Sequence, residues 1–138
     1  MKGKKLVLLL NENLPSGVMA NTAAILGISL GRRFPEAVGE DVTDGSGFSH
    51  EGIVKIPVPV LKGSEEKLKE LRGMLYREYY DDLTVVDFSD VARGCRTYGE
   101  YVEKSASTEE SCYVYLGLAI CGDAKKVNSL TGAMPLLR

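Results

Sequence analysis

Three places in the sequence gather side chains that could do chemistry. The first is Asn11-Glu12-Asn13, which follows an apolar run at residues 6–10 and precedes a Pro15-Ser16-Gly17 turn. Two amides and a carboxylate at such a junction can donate to and accept from a small polar ligand. Ser16 and Gly17 open a helix whose first N–H groups could hold an anion. Ser16 as a simple N-cap is the plainer reading. Asn21 lies just inside the same helix. The second place is Asp87, at the end of the apolar run 83–86. Desolvation there would raise its pKa and suit it to acid–base work. The third is His50, the only histidine, in a Gly-rich loop with Asp44, Ser46 and Glu51. A histidine beside a carboxylate can serve as a general base, and an exposed loop side chain is the alternative. Asn11, Asn13, Ser16, Asn21 and Asp44 are therefore the candidate ligand-binding residues. Asp87 and His50 are the candidate catalytic residues.

Several chemistries are excluded. The stretch NLPSGVMAN lacks the Gly-Lys-Ser/Thr ending of a phosphate-binding loop. No Gly-x-Ser-x-Gly elbow is present, which argues against a serine hydrolase. One histidine and three widely spaced cysteines, Cys95, Cys112 and Cys121, imply neither a metal site nor a disulfide framework. The cysteines read as small buried hydrophobes, and no cofactor is implied. The net charge of −2 argues against nucleic acid as a partner. No run approaches the ~18 apolar residues of a membrane span. The basic-then-apolar start imitates a signal peptide, but its apolar core is too short, so a cytoplasmic location is expected.

These groups need elements to position them. Residues 6–10 read as a strand covered on both faces. Residues 18–30 read as a helix with small packing residues, and 34–51 as a long polar loop. Residues 53–61 alternate like a strand, with Pro57 and Pro59 restricting it to an edge or a strand end. Ser64 caps a helix with Leu68, Leu71, Leu75 and Tyr79 as its buried stripe. Residues 83–88 form a third strand and 112–120 a fourth. A weaker helix over 89–104 turns Val91, Cys95, Tyr98 and Val102 inward. A short helix and an extended piece, AMPLL, follow. The alternation predicts one domain over residues 1–138, a three-layer α/β/α fold. Its sheet would be mixed but largely parallel, with four or five strands. Ligands would then sit beyond the carboxyl ends of the strands. Asn11 or Asn13, Asn21 and Asp87 should converge on one crevice there, rimmed by the loop 44–50, with Asp87 held by amides.

The tail GDAKKVNSLTGAMPLL and the opening NENLPSGVMANTAAILG resemble the peptidyl-tRNA hydrolase II fold in the order of their parts. The Asp-Gly loop, the PVPVLK stretch and the tail are more similar still to a domain-of-unknown-function family, number two thousand. The resemblance implies a peptidyl-tRNA hydrolase II-like fold and a homodimer, with an extra segment near residues 93–110. It puts Asn21 where the hydrolases have a lysine, and Asn11 and Asn13 where they have arginine and aspartate. Asp87 matches a strand-end aspartate, and Tyr115 falls near a threonine. Losing one charge-stabilising group costs on the order of 3–4 kcal/mol in the transition state. The implied function is therefore binding of a small polar ligand or partner, with a divergent hydrolase or transferase using Asp87 as the alternative. The purified protein is expected to turn over peptidyl-tRNA little or not at all. Hydrolysis at the rate of a true member of that enzyme family would refute this.

Overall fold

The computed structural model describes residues 1–138. Strand β1 (Lys4–Asn11) is continuously buried from Leu6 onward, as an apolar run covered on both faces requires. Helix α1 (Ser16–Arg33) follows, then a small exposed hairpin of β2 (Val42–Thr43) and β3 (Ser49–His50). Strand β4 (Val60–Gly63) leads into α2 (Glu65–Leu75), whose N-cap Ser64 accepts the Lys67 N–H at 3.0 Å. Strand β5 (Thr84–Ser89), the short α3 (Asp90–Arg93) and α4 (Tyr98–Ala106) come next. The chain ends with β6 (Tyr115–Asp123), α5 (Ala124–Thr131) and an extended tail.

One sheet runs β4-β1-β6-β5. Helix α1 covers one face, and α2 with α5 cover the other. Leu6, Leu8 and Leu10 pack with Leu26, Leu30 and Phe34 on the α1 side. Val7 and Leu9 pack with Leu68, Leu71, Leu118 and Val127 on the other. The three-layer α/β/α arrangement and a mixed four-stranded sheet are thus as expected. The sheet is not largely parallel, however. Only β1 with β4 is a parallel pair, and β6 runs antiparallel to both of its neighbours.

Other expectations need correction. The strand expected over 53–61 is reduced to Val60–Gly63, because Pro57 and Pro59 remove ladder donors from its first half. Tyr79 leaves the α2 stripe, since the helix ends at Leu75, and it is exposed. The weak helix over 89–104 is two helices broken around Gly94. Within them Val91 is buried while Tyr98 and Val102 are exposed. Of the cysteines only Cys121 is buried, and Cys112 is exposed.

Two local features set the geometry of β6. Leu116 is an extra residue opposite the Phe88–Ser89 step of β5. Strict alternation would put Tyr115 on the α1 side with Gly117; the bulge moves it into the α2-side core. Gly117 lets α1 approach, because a Cβ there would lie 2.7 Å from Thr22 Cγ2 and 3.0 Å from Leu26 Cδ1. Gly117→Ala should therefore destabilise the protein by about 1–3 kcal/mol through overpacking. Urea unfolding should show a lower midpoint with an unchanged slope; an unchanged midpoint would refute the close contact.

Candidate functional site

Strands β1, β4 and β5 run in the same direction, so their carboxyl ends share one edge of the sheet. Asn11, only 5% exposed, ends β1. Its alternation with Leu10 puts it on the α2 side. Its Oδ1 accepts the Asn13 N–H at 3.0 Å, which shapes the turn into α1. Ser16 is not an N-cap. Pro15 holds that position, and no side chain caps the helix.

Asn13 and Ser16 line an open groove of about 720 Å³ on the α1 side. Its floor is Leu10, Met19, Ala23, Val60 and Leu137, and its rim includes Glu12 and Lys62. Pro15 brings no side-chain acceptor, and the first turn of α1 carries no acidic residue. The leading N–H groups of the helix are thus left for water or a ligand. Asn21 is exposed on α1 and stands outside this groove.

Asp87 lies on the other face. It pairs across the ladder with Leu118 of the α2-side core, and its Oδ2 accepts from Arg72 Nε of α2 at 2.9 Å. The expected single crevice of Asn21 and Asp87 therefore does not form, because the sheet separates them. Asp87 is held by a guanidinium rather than by amides. The loop 44–50 is no rim either. The segment that follows it is tied to the turn 35–37, beyond the C-terminal end of α1, by the Lys55 N–H to the Ala37 carbonyl at 2.8 Å. Asp44 accepts the Ser46 and Phe48 N–H groups at 2.8 and 3.0 Å, and lies 2.7 Å from His50 Nε2. That contact, with the turn amides, lowers the Asp44 pKa. Both side chains serve the turn and face solvent.

Sequence reasoning missed a polar network on the α2 side. Lys69 and Arg72 stand on α2, the one salt-bridged to Glu110 at 3.0 Å and the other to Asp87. The Arg72 guanidinium lies 3.9 Å from the centre of the Tyr76 ring. Lys69 Nζ also donates to the Glu110 carbonyl. Tyr115, fully buried, donates its hydroxyl to Glu110 at 2.6 Å. Burial first, and Glu110 second, push this phenol far above its ordinary pKa. Near neutrality it therefore stays a neutral phenol. The spacing of Lys69, Arg72 and Tyr76, three and four residues apart beside the leucine stripe, was the available signal. The network clamps the segment between α3 and β6 onto the body, with Asp90 Oδ1 accepting the Val114 N–H at 3.0 Å.

No three His, Cys, Asp or Glu side chains are grouped so as to hold a metal ion, and no helix is long and apolar enough to cross a membrane. The molecule is thus an α/β sandwich with a ligand-sized groove at one strand-end edge and an ion-paired clamp on the opposite face. The chain belongs to the family described as "Protein of unknown function (DUF2000)", which matches residues 4–138. Its fold is similar to that of a solved structure of a protein of unknown function, Atu0240, from Agrobacterium tumefaciens strain C58. The two superpose with a TM-score of 0.88 at 19% identity, over 100% of each chain. At that identity the likeness shows a shared fold. No curated protein matches the chain.

The Tyr115 bond, helped by the Lys69 bond and opposed by burial, holds the Glu110 pKa below the ordinary glutamate value. The ionised form therefore favours the folded state. Its contribution is complete above the unfolded pKa near 4.5 and disappears as pH falls through the depressed folded value. Solvent access limits it to no more than about 1 kcal/mol. Glu110→Gln should lower stability at neutral pH and flatten the acid limb of the stability curve. An unchanged pH profile would show that the clamp is not ionic.

Proposed function

We propose that the protein binds a small ligand with a polar head in the groove at the carboxyl ends of β1 and β4. One observation carries this reading: an apolar floor with a polar rim, open to solvent, at the edge where α/β sheets place their ligands. Asn13 and Ser16 are the sequence candidates that line it, and Asn11 acts behind them by fixing the turn. Lys62 and the uncapped start of α1 favour a negatively charged head. The apolar floor favours an aliphatic or aromatic tail.

The relation to the peptidyl-tRNA hydrolase II fold belongs to this proposal. The matching family and the solved neighbour speak only of unknown function. A divergent hydrolase or transferase using Asp87 is the second reading, and it would have to work with a carboxylate whose Oδ2 already accepts from Arg72. His50 could contribute only on the exposed hairpin, where its neighbour is Asp44.

A medium-chain carboxylate such as octanoate is a suitable probe, with octanol as the uncharged control. Octanoate should raise the melting temperature of the wild type. At about 100 times its Kd a ligand specific to the folded state contributes about 2.7 kcal/mol. Ala20→Trp, which fills the groove from an exposed position, should abolish the shift. Lys62→Ala should weaken octanoate and leave octanol unaffected. A shift that survives both substitutions locates the ligand elsewhere and sinks the reading.

A further inference from the structure

The two edges of the sheet are finished differently. Beyond β4 the C-terminal tail bonds to the strand, with the Lys62 N–H donating to the Pro135 carbonyl at 3.0 Å and the Leu137 N–H to the Val60 carbonyl at 2.8 Å. Beyond β5 the segment 92–101 runs alongside, but the strand is hydrogen-bonded to β6 alone. The phase of the ladder decides which peptide groups of β5 face outward. The Leu8 and Glu12 N–H groups donate to Pro59 and Gly63, so even-numbered residues of β1 face β4 and odd-numbered ones face β6. Leu9 stands opposite Leu118, and Ala119 opposite Val86. Val86 therefore faces β6, and the peptide groups of Val85 and Asp87 face away from the sheet. The one side-chain bond at either residue is that of Arg72 to the Asp87 carboxylate. The Val85 carbonyl and the Asp87 N–H are thus an acceptor and a donor side by side, left for water or a ligand.

These groups border a cleft of about 550 Å³, a volume suited to a small molecule. It is lined by Ile25 and Ser29 of α1, by Val85 to Phe88 of β5, and by Tyr98 and Tyr101 of α4. The two tyrosine rings stand edge to face, 5.5 Å apart between centres. The cleft thus combines aromatic and aliphatic walls with a hydrogen-bonding pair on the strand edge.

We propose that this cleft binds a planar heteroaromatic ring of the aminopurine class, read by the edge of β5. The exocyclic amino group donates to the Val85 carbonyl. The neighbouring ring nitrogen accepts the Asp87 N–H. A tyrosine of α4 stacks on the face of the ring. The two in-plane bonds require a donor and an acceptor on adjacent ring positions, which this class carries. A purely aliphatic ligand would cover both peptide groups without pairing them, at the cost of their desolvation. An added strand is excluded, because the segment 92–101 takes the place it would need. The groove beside β4 lies at the opposite edge of the sheet, so the two sites fill independently.

Adenosine is the probe, since its sugar blocks the other hydrogen-bonding edge of the purine. In isotope-labelled protein it should shift the amide resonance of Asp87 and leave that of Asn13, in the groove, unmoved. The derivative dimethylated on the exocyclic nitrogen has no amino hydrogen and should bind about tenfold more weakly. Tyr98→Ala, at a position 77% exposed, should weaken adenosine by about tenfold and leave the melting curve of the free protein unchanged. Ser29→Trp, which fills the cleft from an exposed position, should abolish binding. Ala20→Trp, in the groove, should leave it intact. Adenosine that fails to shift Asp87, or binds no better than its dimethyl derivative, overturns the proposal. So does binding that survives Ser29→Trp or is lost with Ala20→Trp.

Discussion

The antiparallel insertion of β6 between β1 and β5 is the constraint on which the rest of the structure depends. Eight of its nine residues are buried, and it makes ladders to both neighbours. It must therefore be apolar on both faces, and its sequence, YLGLAICGD, is so until its last residue. Its two glycines answer close approaches. Gly117 admits α1, and Gly122 admits the side chain of Leu83. The bulge at Leu116 then selects the face on which Tyr115 is buried, and with it the side on which Glu110, and so the whole α3–α4 segment, is held.

This constraint separates the chemistry that sequence proximity suggested was shared. With β6 between them, the ends of β1 and β5 are not neighbours, and the two faces of the sheet take different tasks. The α2 side holds its charges in cation–carboxylate pairs, each cation also stacked on a tyrosine. A half-buried charge left without a partner would be costly, so this side favours rigid attachment over reactivity. The α1 side pairs fewer of its polar groups. The uncapped start of α1 and the open groove are where the fold leaves binding capacity unspent.

What the sequence made legible was what local physics decides. Continuous apolar runs marked the buried strands. Ser64 marked the start of α2, and the Leu68, Leu71 and Leu75 spacing marked its inward face. The order of strands was not legible, because an antiparallel neighbour and a parallel one demand the same doubly buried pattern of β1. Nor was the bulge, since one extra residue in an apolar strand leaves no trace in composition. Tyr98 and Val102 have helical spacing and face solvent all the same, as α4 packs chiefly on the short α3 and buries none of its residues.

Asp44 and His50 show the same ambiguity at a finer scale. An acid–histidine pair in a Gly-rich loop has the composition of a catalytic dyad and equally that of a turn. The difference lies in what else the carboxylate must do. Asp44 already accepts two backbone N–H groups that close the turn around Gly47, whose positive φ of 85° requires glycine. His50 reaches it across the β2–β3 pairing from the strand opposite. A carboxylate committed in this way, on a hairpin with no buried residue, holds the turn and lacks the desolvation that raises a catalytic carboxylate. Asp87 differs in being largely buried with its Oδ2 engaged by Arg72, as part of the α2-side clamp; Asn13 and Ser16, exposed on the groove rim with no side-chain partner of their own, are the groove candidates whose polar atoms remain available.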